Sequence, residues 1–395
     1  MPNVFDYLEW RGDLTFEEIP VNEVDNLIFC LLSYVDLDGI VPAEPQKGRV
    51  TIRRAAAEYF FTHEDIPDRP LGLIVPADIL TLFRRMAHAR RFRDLELTGY
   101  TNTVCEVREM QFSALTIRLP GEQMFVAFRG TDDTIVGWRE DFNLSHMEEV
   151  PSQRMAADYL NALDVTPDTR LYVGGHSKGG NLAVWGAVHA KEEIRDRMVQ
   201  IYSNDGPGFS DGTVDSEAYQ ALSDRIRIIL PEDSLVGLLL EHDERYTVIK
   251  SNRRGVYQHD GLSWEILGGS FICSEGLSPK GIRHDTLVRD RIDAMTREER
   301  KHFTRLMFNL LESTGAKTLT DLHRGGPKVL ITMVKAFRDL PEEDQETAEY
   351  LWDKLFSARP DEKGKESSEK MQPTARSPKR MKGKIRISWF PLLLP

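Results

Sequence analysis

The run Gly174-Gly175-His176-Ser177-Lys178-Gly179-Gly180 constrains this chain more than any other feature. It follows the apolar stretch Leu171-Tyr172-Val173 and precedes the small and apolar residues Asn181 to Ala187. A strand that ends in G-x-S-x-G and hands over to a helix must turn sharply. The turn sets the serine at a helix N-terminus, where the backbone dipole favours negative charge. Glycine on either side tolerates that turn. The spacing predicts a nucleophile elbow centred on Ser177. The competing reading is a Gly-rich turn whose serine merely caps the helix. A phosphate-binding loop does not fit, because its Gly-Lys-Ser/Thr order is missing.

A nucleophilic serine needs a base, and the base needs an orienting carboxylate. In a sheet with such an elbow the chain order is Ser, then acid, then His. The histidines after Ser177 are His189, His242, His259, His284, His302 and His323. His259, in Tyr257-Gln258-His259-Asp260-Gly261, falls in a loop between two late strands and is the expected base. His242 and His284 are the alternatives. Asp233 follows the strand Ile226 to Leu230, which would set it on the carboxyl edge of the sheet beside the elbow, so it is the expected acid. Asp205, one strand earlier, is its rival. An oxyanion hole needs two donors. The amide of Lys178 is one, and Thr131, just past the strand ending at Phe128, offers an amide and a hydroxyl.

The surrounding pattern fits this reading. Phe112 to Leu119 and Met124 to Phe128 read as a hairpin around Pro120-Gly121, at the edge of a sheet. Helix and strand then alternate: helix 151–163, strand 170–173, helix 181–191, strand 198–203, helix 216–222, strand 226–230. Residues 246–249 and 264–267 read as closing strands. Such alternation predicts an α/β fold with a mostly parallel sheet covered by helices on both faces. Four regions are expected: an N-terminal helical accessory region (1–95), an α/β core (96–285), a C-terminal helical region (286–356) and a disordered basic tail (357–395). In the last of these, low apolar content and a Lys/Arg excess argue against a packed core.

Composition narrows the function classes. Across 395 residues, 51 Lys and Arg face 63 Asp and Glu, a net charge of −12 that disfavours a globally basic nucleic-acid binder. Three scattered cysteines make neither a disulfide framework nor a zinc site, and neither a metal nor another cofactor is expected. No apolar run reaches the ~18 residues of a membrane-spanning helix, and the first residues lack the basic and apolar regions of a signal peptide. The expectation is a cytoplasmic chain. Its basic tail would make at most weak contact with a membrane surface.

These residues also resemble a known family. Ala127-Phe128-Arg129-Gly130-Thr131, Trp138, Asp141 and Gly175-His176-Ser177-x-Gly179-Gly180 resemble the class 3 (fungal-type) lipases. Ser203-Asn204-Asp205-Gly206-Pro207-Gly208-Phe209 and Gln258-His259-Asp260-x-x-x-Trp264 are similar to a bacterial, Mbeg-like group of domains related to those lipases. The resemblance runs to about Phe356. It implies an α/β-hydrolase with Ser177 as nucleophile, His259 as base, Asp233 as acid and Thr131 in the oxyanion hole. It further implies a small-molecule acyl ester or lipid-like substrate. Lys178 departs from the apolar residue usual there; a cation beside the oxyanion would favour anionic substrates unless it points to solvent. The lid-like stretch Asp132 to Val150 is charged, unlike a greasy lipid-binding lid. A thioesterase or peptidase would use the same machinery, and a binding protein on the same fold would not use it at all.

Overall fold

The computed structural model describes residues 1–63, 71, 75, 76, 78–210 and 212–356. The tail expected to be disordered lies outside the described residues. An eight-stranded sheet organises the fold, in the order β1 (Val50–Thr51), β2 (Glu96–Cys105), β3 (Met110–Leu119), β4 (Gln123–Phe128), β5 (Arg170–His176), β6 (Met198–Asn204), β7 (Ile226–Pro231) and β8 (Tyr246–Ile249). β1 to β4 pair antiparallel, and β4 to β8 run parallel. The parallel strands therefore end together, and their carboxyl edge gathers the loops after β4, β5, β6 and β7.

The hairpin of β3 and β4 is not at the edge, because β2 pairs outside β3 and β1 outside β2. β2 escapes the two-residue pattern because its register shifts between Thr98 and Thr101, around Gly99 at φ 65°. A bulge of this kind breaks the alternation by which a strand is recognised. The expected closing strand at 264–267 shrinks to β9 (Ile266–Leu267). It pairs with β10 (Ser270–Phe271) in a separate hairpin. Trp264 is instead fully buried, donating its indole N–H to the Gln258 carbonyl at 2.9 Å.

The strands' two-residue period divides the core into two layers. Phe125, Ala127, Tyr172 and Tyr202 face α1 (Val4–Arg11), α2 (Glu23–Leu32), α3 (Ile52–Thr62) and α4 (Asp78–His88). Met124, Val126, Phe128 and Val173 face the other side. α5 (Ile135–Asn143) and α6 (Pro151–Asn161) follow β4, and α7 (Lys178–His189) and α8 (Glu192–Arg195) follow β5. α9 (Glu217–Leu222) follows β6. α6 and α7 supply Ala156, Leu160, Leu182 and Val184 to that second layer. The N-terminal helices are thus one face of the sheet's own core. α2 begins with a capping box: the Asn22 side chain accepts from Val24 and Asp25 amides, and the Asp25 carboxylate accepts from the Asn22 amide.

The C-terminal region holds α10 (Pro279–Asp293), α11 (Arg297–Glu312), α12 (Leu319–Gly325), α13 (Pro327–Arg338) and α14 (Glu342–Phe356). Ala294–Thr296 separates α10 from α11, and Thr296 and Glu299 form the capping box that starts α11. These helices close a third cluster that includes Ile135 of α5, with the Phe142 and Phe308 rings 5.4 Å apart. The Ile135 amide donates to Lys317 and the Leu319 amide to Asp133, both at 2.9 Å. The stretch read as lid-like therefore contains a helix wedged between the sheet and the C-terminal helices.

Candidate active site

Ser177 occupies the turn between β5 and α7 at φ 58°, ψ −136°, a left-handed conformation costly for any residue with a Cβ. It stands at the N-cap position, yet its hydroxyl makes no capping hydrogen bond. The capping role is therefore not what holds the serine there. Its backbone is pinned on both sides: its amide donates to the Asn204 carbonyl at 3.0 Å, and its carbonyl accepts from the Gly180 amide at 2.8 Å. The flanking glycines are required by space. A Cβ on Gly175 would fall 1.9 Å from the Gly179 carbonyl oxygen, and one on Gly179 would fall 2.2 Å from that of Phe128.

His259 lies in a short 3-10 turn after β8, and its ring lies tilted against that of His176, centroids 4.7 Å apart. Since His176 directly precedes Ser177, the expected base reaches the elbow. The carboxylate against it is Asp205, whose Oδ2 lies 2.6 Å from His259 Nδ1. The expected acid, Asp233, is thereby corrected. Its carboxylate accepts from the Gly255 amide at 2.9 Å and from the Ser278 hydroxyl, tying the 255–259 turn to the start of α10. One strand makes the difference. Asp205 directly follows β6, the immediate neighbour of the elbow strand β5, whereas Asp233 follows β7, one strand further away.

The Asp205 carboxylate is tightly held. The residue is fully buried at φ 50°, and its Oδ1 accepts from the Ser234 hydroxyl and, at 3.2 Å, from the Gly237 amide. Oδ2 is left for the imidazole. A carboxylate acceptor at Nδ1 requires a proton there, so neutral His259 presents an unprotonated Nε2. That nitrogen is the one a general base uses.

The loop after β4 brings Thr131 alongside. A Cβ on Gly130 would come 3.0 Å from Ser177 Cβ, so this backbone passes directly by the serine. The Thr131 hydroxyl donates to Asp141 Oδ2 at 2.6 Å and is therefore engaged with α5. Burial raises the Asp141 carboxyl to about 6, against the opposing pull of the Lys178 cation.

Lys178 does neither of the things its sequence position suggested. It is 1% exposed, and its ammonium donates at 2.9 Å to Glu140 Oε2 and to Gln111 Oε1, and at 3.0 Å to the Gln111 carbonyl. Glu140, wholly buried, also accepts from the Gln111 amide at 3.0 Å and the Ser152 amide at 2.9 Å. The cation thus anchors the elbow to β3, α5 and α6, and its charge is spent internally. The Lys178 amide remains at the first turn of α7, where an oxyanion donor is expected.

Three of the other histidines after Ser177 meet different partners. His189 stacks on Trp185, His302 pairs with Asp344 at 3.2 Å, and His242 Nδ1 lies 3.3 Å from the Leu240 carbonyl. His323 lies on α12, and the side chains of His284 and Asp285 lie outside the described residues. Among the described residues no cluster of His, Cys, Asp or Glu could hold a metal ion, and no helix is long and apolar enough to cross a membrane.

Several supporting residues escaped the sequence reading. Asn26 of α2 donates to Asn204 Oδ1 at 2.9 Å, and Asn204 donates to the Gly175 carbonyl at 3.0 Å, which fastens the N-terminal layer under the elbow. Tyr34, just past α2, places its hydroxyl 3.1 Å from His176 Nδ1. No local pattern marks Asn26 or Tyr34, because each acts on a residue more than a hundred positions away.

With this geometry in view, the comparisons acquire meaning. A search of curated proteins gives no match. Among solved structures, the M37 lipase aligns with 40% of this chain and 60% of its own, at 17% identity and a TM-score of 0.30. That likeness is too slight to carry an argument about chemistry. The family model described as Mbeg1-like matches residues 86–309, more than half of the 395, and spans the β4 loop, the elbow, Asp205 and His259. The chain belongs to the Mbeg1-like family.

Proposed function

We propose that this protein is a serine hydrolase that cleaves a carboxylic ester or related acyl bond. Ser177 is the nucleophile, His259 the base and Asp205 the orienting acid. The Ser177 oxygen attacks the acyl carbon while His259 Nε2 takes the hydroxyl proton, and Asp205 stabilises the imidazolium that results. The amides of Lys178 and Thr131 receive the tetrahedral oxyanion. The imidazolium then protonates the leaving group. Water, deprotonated by the same His259, releases the acid and restores the serine. Substrates are small acyl esters or lipid-like esters.

The observation that carries this reading is the 2.6 Å contact between His259 Nδ1 and a buried, doubly hydrogen-bonded Asp205, one strand from a serine at positive φ that does not cap its helix. A structural histidine would not need a carboxylate so confined. The test is labelling of the full chain with a fluorophosphonate probe, alongside hydrolysis of p-nitrophenyl esters of graded chain length. Stoichiometric labelling that disappears in Ser177→Ala, with ester turnover disappearing in parallel, is expected. Equal labelling of Ser177→Ala overturns the proposal.

A further inference from the structure

We infer that Tyr34 and His176 are positioning residues that hold His259 in register, so that the N-terminal helical layer sets the geometry of the base. The inference rests on the reading of His259 as base. It begins with the His176 imidazole. Its Nε2 lies 2.7 Å from the His259 carbonyl oxygen. A carbonyl only accepts, so Nε2 must carry the proton and Nδ1 must be the lone pair. That lone pair needs a donor, and the Tyr34 hydroxyl is 3.1 Å away. The chain of donation runs from Tyr34 O–H to His176 Nδ1, and from His176 Nε2–H to the backbone of His259.

Burial supports this single arrangement. His176 is 6% exposed, and burial, reinforced by the neighbouring His259, lowers its pKa to about 3. The ring stays neutral over the working range, with one donor and one acceptor. Burial likewise raises the Tyr34 phenol, so it remains a donor. The Tyr34 hydroxyl also lies under the oxyanion loop, where a Cβ on Gly130 would approach it to 2.2 Å. One hydroxyl from the N-terminal layer therefore sits between the loop carrying Thr131 and the loop carrying His259. Leu27 of α2 supports the second of these from below, 2.9 Å from where a Gly261 Cβ would stand.

Neither residue touches a reacting atom, so loss of either changes the placement of His259 and leaves substrate contacts intact. His176→Gln can keep an N–H donor and an oxygen acceptor in one side chain, whereas His176→Phe keeps the ring's shape and neither group. Turnover is expected to fall at least ~10-fold in Tyr34→Phe and in His176→Phe with little change in KM, since a displaced base costs transition-state stabilisation. His176→Gln should recover most of it. The double variant Tyr34→Phe/His176→Phe should be no slower than His176→Phe, because both act through one chain.

Proton NMR of the His259 Nδ1–H facing Asp205 gives a readout that does not depend on turnover. Its downfield resonance is expected in the wild type and in His176→Gln, and broadened or shifted in Tyr34→Phe and His176→Phe. An unchanged resonance in both of the latter overturns the inference whether or not the protein hydrolyses esters. So does a His176→Gln variant that behaves like His176→Phe. Failure of the wild type to react with the fluorophosphonate probe speaks instead against the proposed function.

Discussion

Replacing Glu140 with Gln isolates the buried ion pair beneath the elbow. The wild-type carboxylate receives three donors: Lys178 Nζ, the Gln111 amide and the Ser152 amide, all within 3.0 Å and all in the interior. Glutamine has almost the same shape but no charge, and one carbonyl oxygen where there were two acceptors. The change strands a cation that is 1% exposed and turns an amide N–H₂ toward a backbone donor. Removing one partner of a buried pair typically costs about 3–5 kcal/mol. Lys178→Met leaves the opposite charge uncompensated, at a similar cost. In Lys178→Met/Glu140→Gln neither charge of the pair remains, and the loss should shrink to the unpaired polar groups and the nearby Asp141 carboxyl, 3.9 Å from Lys178, about 1–3 kcal/mol for the former. The double variant is thus expected to be at least as stable as either single, with a coupling energy of roughly 2 kcal/mol or more. Urea unfolding of the four proteins, followed by tryptophan fluorescence, measures this. Additive losses, or a Glu140→Gln variant within about 0.5 kcal/mol of wild type, would refute the account of Lys178 as an internal anchor.

Further outcomes follow from the same geometry. Asp205→Asn should keep the fold but lose up to roughly 10⁴ in ester turnover, because the asparagine favours the wrong imidazole tautomer. Asp233→Asn, which only loosens the 255–259 turn, should retain far more, and a reversed order in the ester assay would reject the assignment. His176 titrates near 3 when folded and at its ordinary value of 6.5 when unfolded. Its contribution to stability is complete above pH 6.5 and is lost as pH falls from 6.5 toward 3, because only the unfolded chain takes up the proton. Wild type should therefore lose stability over that window more steeply than His176→Gln, and parallel stability–pH curves would contradict this. Gly175→Ala places a methyl 1.9 Å from the Gly179 carbonyl oxygen and should abolish probe labelling, with normal labelling as the contrary result.

The sequence by itself determined the parallel half of the sheet, the elbow at Ser177 and the loop of His259, and the reason is local. Strand and helix periods, together with glycines that a strained turn requires, are written within a few residues of where they act. The bulge in β2 hid a strand, because a register shift at Gly99 erases the alternation. Which aspartate meets His259 was beyond local reading, because Asp205 and Asp233 both follow strands and differ only in how far those strands lie from β5. That is a property of sheet order. The destination of Lys178 was equally hidden, since nothing in a chain announces that Glu140, thirty-eight positions earlier, will be buried within 2.9 Å of it. Tyr34 carries no local signal at all, because its partner is brought to it only when α2 packs against β5. Tertiary packing made those choices, by deciding which buried polar groups could satisfy one another away from water.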